Sequence, residues 1–347
     1  MPTTAALTYQ MRLEYRQLDE RSVLEVPLGE ADFTRAVETA FFDGLRRGRF
    51  REYVVPTAGV RIEPRFEASD AASPLTSGFT VVLPADDGGE HRVDFDTTFL
   101  ASHAKRIVVD RVLQGEVEAD TLKYRLTAYL DETPPQKNGL GLSLEADEPT
   151  LPIHTLSRAS LGRTVSWDSP AQDDLRVLVP RGVLEQAVAE AKEAPQREVG
   201  GFLLGHLCRD GDDGELFLCV TCHVPAEGTE ATETSVTFTA QTWARAREVI
   251  AWRDEGEIFA GWVHSHPFRF CSECPNPPKP DCAGKVLFFS PEDHFLMEVT
   301  FAQPFMVALQ TGVEPRLESA LGHLPVRLYG WRNGVVVPRG FEVIEES

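Results

Sequence analysis

Residues 258–267 read IFAGWVHSHP. The first six are apolar or glycine, as in a strand buried on both faces, and His264 and His266 follow at its end. Residues i and i+2 of a strand point to the same face. Two imidazoles so placed can reach one metal ion, with metal–nitrogen bonds of about 2.0–2.1 Å. A hydrogen-bonded pair of histidines at a strand end is the other reading of this motif taken alone. Downstream, SPED at 290–293 reads as the opening of a helix that continues as HFLMEVTF, and Asp293 can supply a third, oxygen ligand. Two histidines and one carboxylate leave a fourth tetrahedral position open, the pattern of a catalytic zinc site rather than a structural one. Upstream, Glu198 in QREVGGFLLG follows a helix and opens an apolar strand. A carboxylate beside such a centre can take a proton from water and pass it to a leaving amine. Gly200 and Gly201 after it permit close backbone approach.

Around this core the chain is that of an ordinary globular protein. It has 347 residues, enough for two domains, with 42% hydrophobic and 25% charged residues. No run of about 18 apolar residues suggests a membrane span, and the N-terminus lacks the basic start and apolar core of a secretory signal. A cytoplasmic location is expected. The formal net charge of −20 repels phosphate backbones, so nucleic acid is not an expected partner. The same charge is read either as solubility or as a surface for a basic protein partner.

Residues 1–130 suggest a separate N-terminal α+β domain with a largely antiparallel sheet. LTYQMRLEYR (7–16) alternates as a strand, and Phe33, Val37, Phe41 and Leu45 have helical spacing over 32–50. VRIEPRFEA, FTVVLPA, HRVDFDTTFL and TLKYRLTAYLD read as further strands. Residues 131–172, rich in Pro, Gly, Ser and Asp, have linker composition. Residues 173–312 alternate strands and helices, and a mixed sheet flanked by helices is the natural reading. Residues 313–347 stand as a C-terminal extension.

The region 175–310 resembles the JAMM (MPN+) metallopeptidase family. That family's pattern is a glutamate after the first helix, then His-Ser/Thr-His-Pro, then Ser-x-x-Asp. The matching positions are Glu198, then His264-Ser265-His266-Pro267, then Ser290-Pro291-Glu292-Asp293. EVGGFLLG and VPAEGTEATETSVTFTAQTW agree with neighbouring parts of the pattern. The resemblance implies a zinc isopeptidase that cuts after the C-terminal glycines of ubiquitin or a ubiquitin-like protein. It implies zinc on His264, His266 and Asp293, Glu198 as general base and acid, and Ser290 as an oxyanion donor. Ser265 is expected to be structural, facing away from the metal. In one respect the chain departs from the pattern: the family keeps the stretch between His-Pro and Ser-x-x-Asp short, and here it runs from Phe268 to Phe289, 22 residues.

That insertion reads FRFCSECPNPPKPDCAGKVLFF and carries Cys271, Cys274 and Cys282. Two cysteines separated by two residues are half of a structural zinc site, and a Pro-rich loop gains order from a metal staple. A second, structural zinc with Cys222 or His223 as fourth ligand is one reading, and Cys219 and Cys208 are weaker sources. A redox disulfide, or no special role, are the others; Cys219 and Cys222 also read as ordinary buried strand residues. The leading functional expectation is deconjugation or maturation of a ubiquitin-like protein, with that protein, its conjugates and the conjugation pathway as partners. A metal-free scaffold of the same fold and a hydrolase of unrelated peptides are the alternatives.

Overall fold

A computed structural model describes residues 7–17, 20–66, 76–112, 122–130, 151–168, 171, 174–226, 230–231, 236–267, 287–313, 318 and 323–345. The chain divides into two compact units, Met1–Leu151 and Pro152–Ser347.

The first unit contains β1 (Leu7–Gln17), β2 (Glu20–Leu28), α1 (Thr34–Arg46), β3 (Arg61–Phe66), β4 (Thr76–Pro84), β5 (Glu90–Asp96), α2 (Ala101–Val112) and β6 (Lys123–Leu130). They form two antiparallel three-stranded sheets, ordered β2-β1-β6 and β3-β4-β5, rather than one sheet. Phe33 meets Tyr9 and Phe79 edge-on with ring centroids 5.0 and 5.1 Å away, so aromatic packing fills this core. β2 and α2 had no counterpart in the sequence reading.

The second unit contains β7 (Ile153–Thr155), β8 (Thr164–Trp167), β9 (Arg176–Pro180), α3 (Arg181–Glu193), β10 (Gly200–Arg209), β11 (Leu216–Pro225), β12 (Glu230–Ala231), β13 (Val236–Thr237), α4 (Ala240–Arg253), β14 (Ile258–Pro267), α5 (Pro291–Val299), β15 (Val307–Val313), β16 (Val326–Arg332), β17 (Val335–Arg339) and β18 (Phe341–Ile344). Ten of its strands make one mixed sheet, β17-β16-β15-β14-β10-β11-β9-β18-β8, with β7 paired to β10. The residues set apart as an extension after 312 are therefore not an appendage: β16, β17 and β18 are integral strands. β7 and β8, within the stretch of linker composition, also pair into the sheet.

Connectivity forces this sheet to curl. Gly340 alone separates β17 from β18, yet the two lie seven strand-to-strand steps apart in the sheet order. Seven steps at about 4.8 Å make roughly 34 Å in a flat sheet, while one residue spans no more than about 3.6 Å. The far ends must come together, and an ionic cluster holds them. Asp174, just before β9, accepts from Arg332 Nε and Nη2 at 2.8 Å each, and Arg339 Nε lies 3.6 Å from the same carboxylate. Arg339 also donates to the Leu175 carbonyl. The side chains of Asp174 and Arg339 are both fully buried.

Helices cover both faces. The apolar stripe of α3, Val183, Leu184, Ala187, Val188 and Ala191, is buried. On the other face Ala246 of α4 and Met297 of α5 join Phe202, Leu204, Trp262, Phe301 and Tyr329 in one core. No described helix is long and apolar enough to cross a membrane.

Breaking the latch tests the closure. Removing one partner of a buried ion pair costs about 3–5 kcal/mol, so Asp174→Asn should lower unfolding free energy by about 3 kcal/mol in urea titrations at pH 7. Burial works to raise the Asp174 carboxyl, but Arg332, Arg339 and the Ala171 N–H outweigh it and lower it. Its contribution is thus complete above the unfolded value of about 3.9 and is lost as pH falls below it. Acid sensitivity in that window should be weaker in the variant; an equally steep acid loss would contradict this.

Candidate metal centre

Strand β14 places the two histidines. It pairs antiparallel with β10, Gly200 opposite His264, and parallel with β15, His264 opposite Gln310. A register shift between Leu203 and Leu204 leaves a bulge at Ala260, just before Gly261. At Gly261 (φ +152°) a Cβ would lie 1.8 Å from the Val307 carbonyl oxygen, so only glycine lets β14 pass this close to β15. Trp262, His264 and His266 then fall on the face covered by α5. The His264 ring stacks on Trp262 at 4.4 Å and 14° between planes, which fixes its orientation.

Asp293 comes from the first turn of α5. Ser290 is the N-cap: its Oγ accepts from the Asp293 N–H at 3.1 Å, and the Ser290 N–H donates to Asp293 Oδ2 at 2.8 Å. This reciprocal pair satisfies two orphan donors of the helix start and aims the carboxylate. Because the Ser290 oxygen accepts here, its own proton is left to donate elsewhere.

Three ligand atoms converge. His264 Nε2 is 3.1 Å from His266 Nε2 and 3.3 Å from Asp293 Oδ1, and His266 Nε2 is 3.7 Å from Asp293 Oδ2. Ligands 2.0–2.2 Å from a tetrahedral ion stand roughly 3.3 Å apart, so the set fits one metal ion with little movement. His264, His266 and Asp293 are all buried. Burial lowers the His264 imidazole, with His266 adding to this and Asp293 opposing it, so the neutral form that a ligand requires is favoured. Burial would raise the Asp293 carboxyl, but His264, then hydrogen bonds from His266 and the Ser290 N–H, hold it well below the usual range.

Glu198 lies in the segment between α3 and β10. The pairing of Gly200 with His264 puts Glu198 across from His266. Its Oε1 is 3.9 Å from His266 Nε2, outside the ligand set and within reach through one water molecule. Burial pushes its carboxyl up to about 7; Asp293 and Glu292 add to the rise and His266 opposes it. Ser265 holds this segment from the opposite face. Its Oγ accepts from the Val199 N–H at 3.0 Å, and its N–H donates to the Val199 carbonyl at 2.8 Å.

One buried group had no place in the sequence reading. Gln310 donates from Nε2 to the Phe288 carbonyl at 2.6 Å, and the same nitrogen sits 3.0 Å from His266 Nε2 and 3.3 Å from His264 Nε2. Its signal was a single amide within the apolar run VALQ, which a strand in a buried sheet does not otherwise use. Gln310 Oε1 and His264 Nδ1 are buried without a hydrogen-bond partner among the described residues.

The cysteine expectations divide. Cys271, Cys274 and Cys282 lie outside the described residues. Cys222 and His223 are neighbours on β11 and so face opposite sides of the sheet. Cys222 packs on the core around Phe202 and Trp262, while His223 is buried with Nδ1 3.5 Å from Glu190 of α3. Cys208 and Cys219 share a small apolar cluster with Leu178 and Phe217, and burial pushes both thiols up, to about 12 and about 11. Such thiols are inert packing groups.

No family model matches the chain, and no curated protein matches it. Among solved structures, the solution structure of protein DSY2949 from Desulfitobacterium hafniense is similar at 21% identity, covering 49% of this chain and 93% of that one, with a TM-score of 0.32. A likeness at that level carries no argument about function.

Ser265→Ala separates positioning from ligation. It leaves the Val199 N–H without its acceptor, which costs about 1–2 kcal/mol, and frees the Glu198 segment without touching a metal ligand. Thermal unfolding should shift down, while zinc affinity measured against a chromogenic chelator should stay within a few-fold of the parent. A large loss of zinc affinity would contradict this division of roles.

Proposed function

We propose that this chain is a zinc-dependent peptidase of the JAMM type that cuts after the C-terminal tail of a ubiquitin-like protein, in deconjugation or precursor maturation. The observation that carries the reading is the buried convergence of His264, His266 and Asp293 with Glu198 one water away. The order of Glu198, the His264–His266 pair and Ser290–Asp293 along the chain supports the reading.

His264, His266 and Asp293 would hold the zinc. When bound, zinc supplies Lewis acidity, polarising the scissile carbonyl and making water easier to deprotonate. Glu198 takes the proton of the attacking water and then delivers it to the leaving amine. Burial works to raise the Glu198 carboxyl, which makes it a stronger base for the first of these transfers. The Ser290 hydroxyl, whose oxygen is already anchored at the helix start, donates to the developing oxyanion. Phe288 is half exposed, with its ring centroid 4.8 Å from His266, and offers an apolar wall to an extended tail. The ubiquitin-like protein or its conjugates, and proteins of the conjugation pathway, are the partners this reading implies.

Glu198→Gln tests it with a ubiquitin-like fusion ending in diglycine as substrate. The variant should retain zinc at the parent stoichiometry and lose about 10³-fold in turnover. Zinc removal by a chelator should abolish cleavage in the parent, and zinc addition should restore it. A zinc-free, inactive parent would instead support a scaffold role. Equal cleavage of short unrelated peptides would support a general peptide hydrolase.

A further inference from the structure

A second group of metal-ligating side chains lies at the other end of β14. His206 of β10 and, from the turn between α4 and β14, Glu255 and Glu257 bring one imidazole nitrogen and two carboxylate oxygens within 4.8 Å of one another. His154 of β7 stands edge-on against His206, with ring centroids 4.5 Å apart. Glu257 is seven residues before His264 on an extended strand, about 23 Å, so the two groups cannot share an ion.

The known neighbours explain only part of this cluster. Glu257 accepts from Arg253 Nε at 2.6 Å and from the Thr221 hydroxyl. A carboxylate has about four lone-pair positions, so its acceptor capacity is not exhausted. Arg253 Nη2 also lies 3.6 Å from Glu255, so one cation faces two carboxylates and the cluster keeps an excess negative charge. The imidazoles are explained only in part: His206 hydrogen-bonds the Gly256 backbone through one ring nitrogen. His206 Nδ1 and His154 Nε2 are both buried and have no hydrogen-bond partner among the described residues. Buried polar atoms in native proteins are nearly always paired, and an unpaired buried imidazole nitrogen is a vacant ligand as well as a vacant acceptor.

We infer that His206, Glu255 and Glu257 form a second metal site, with His154 packed beside it, suited to a divalent transition ion such as Zn2+. An imidazole beside carboxylates favours zinc, cobalt or nickel over the oxygen-seeking calcium and magnesium. The ion would tie the C-terminal half of β10 to the turn that launches β14. The inference is independent of the proposed peptidase activity.

Zinc counting on the full chain tests it, with Cys271, Cys274 and Cys282 replaced by serine so that the insertion contributes nothing. After zinc loading and gel filtration, mass spectrometry should find two zinc ions per chain. His206→Ala should leave one, His264→Ala should leave one, and the double variant should leave none. A stoichiometry that His206→Ala does not change overturns the inference. A single ion lost with His264→Ala and kept with His206→Ala also overturns it. A single ion lost with His206→Ala supports it and counts against the centre at His264. Glu255→Gln serves as a second variant because its side chain is 60% exposed and folding does not depend on it. It should weaken zinc at this site about 10-fold, and an unchanged affinity overturns the inference.

Discussion

The site depends on how β14 is held between two neighbours. β10 fixes it from one side and β15 from the other, and each pairing supplies a functional group opposite the histidines: Glu198 beyond Gly200, and Gln310. Sheet pairing leaves no freedom in this arrangement, because a slip by one residue would turn His264 and His266 to the face of α3. The close passage at Gly261, the bulge before it and the double hydrogen bond of Ser265 to Val199 all act on that register. The α5 capping box acts on the remaining coordinate, bringing Asp293 to the strand end.

This arrangement has a cost that the proposed metal explains. His264, His266, Asp293, Glu198 and Gln310 are buried polar groups at the edge of a core built from Phe202, Trp262 and Phe301. Without an ion, two imidazole nitrogens face each other at 3.1 Å and only one hydrogen bond between them is possible. A divalent ion satisfies both nitrogens and the carboxylate at once. Glu198, slightly farther away, stays outside the ligand set. Stability elsewhere then supports these buried polar groups. The Asp174 latch that closes the curled sheet is one such support, because it ties β9 to β16 and β17 without drawing on the site.

Much of this was legible in the residues. The apolar run ending in His264 and His266, the capping signature SPED and the helical spacing of α3 are local patterns, and local patterns survive folding intact. What was not legible is non-local. The curl of the sheet follows from Gly340 joining strands seven places apart, and the sheet partners of β18, β8 and β9, lie far from it in sequence. The last strands, β16 to β18, read as an appendage because their partners β15, β9 and β8 lie elsewhere in the chain. Gln310 becomes meaningful only when β15 pairs with β14. The cluster of His206, Glu255 and Glu257 joins residues about fifty positions apart, and no spacing rule collects them.

The central claim is that His264, His266 and Asp293 bind one zinc ion beside Glu198. Anomalous diffraction at the zinc absorption edge from zinc-loaded crystals tests it most directly. The account predicts an anomalous peak about 2.0–2.2 Å from one nitrogen of each histidine and from an Asp293 carboxylate oxygen, with the Glu198 carboxylate outside bonding distance. No peak among these three side chains in crystals that contain zinc elsewhere, or a peak ligated directly by Glu198, would contradict it.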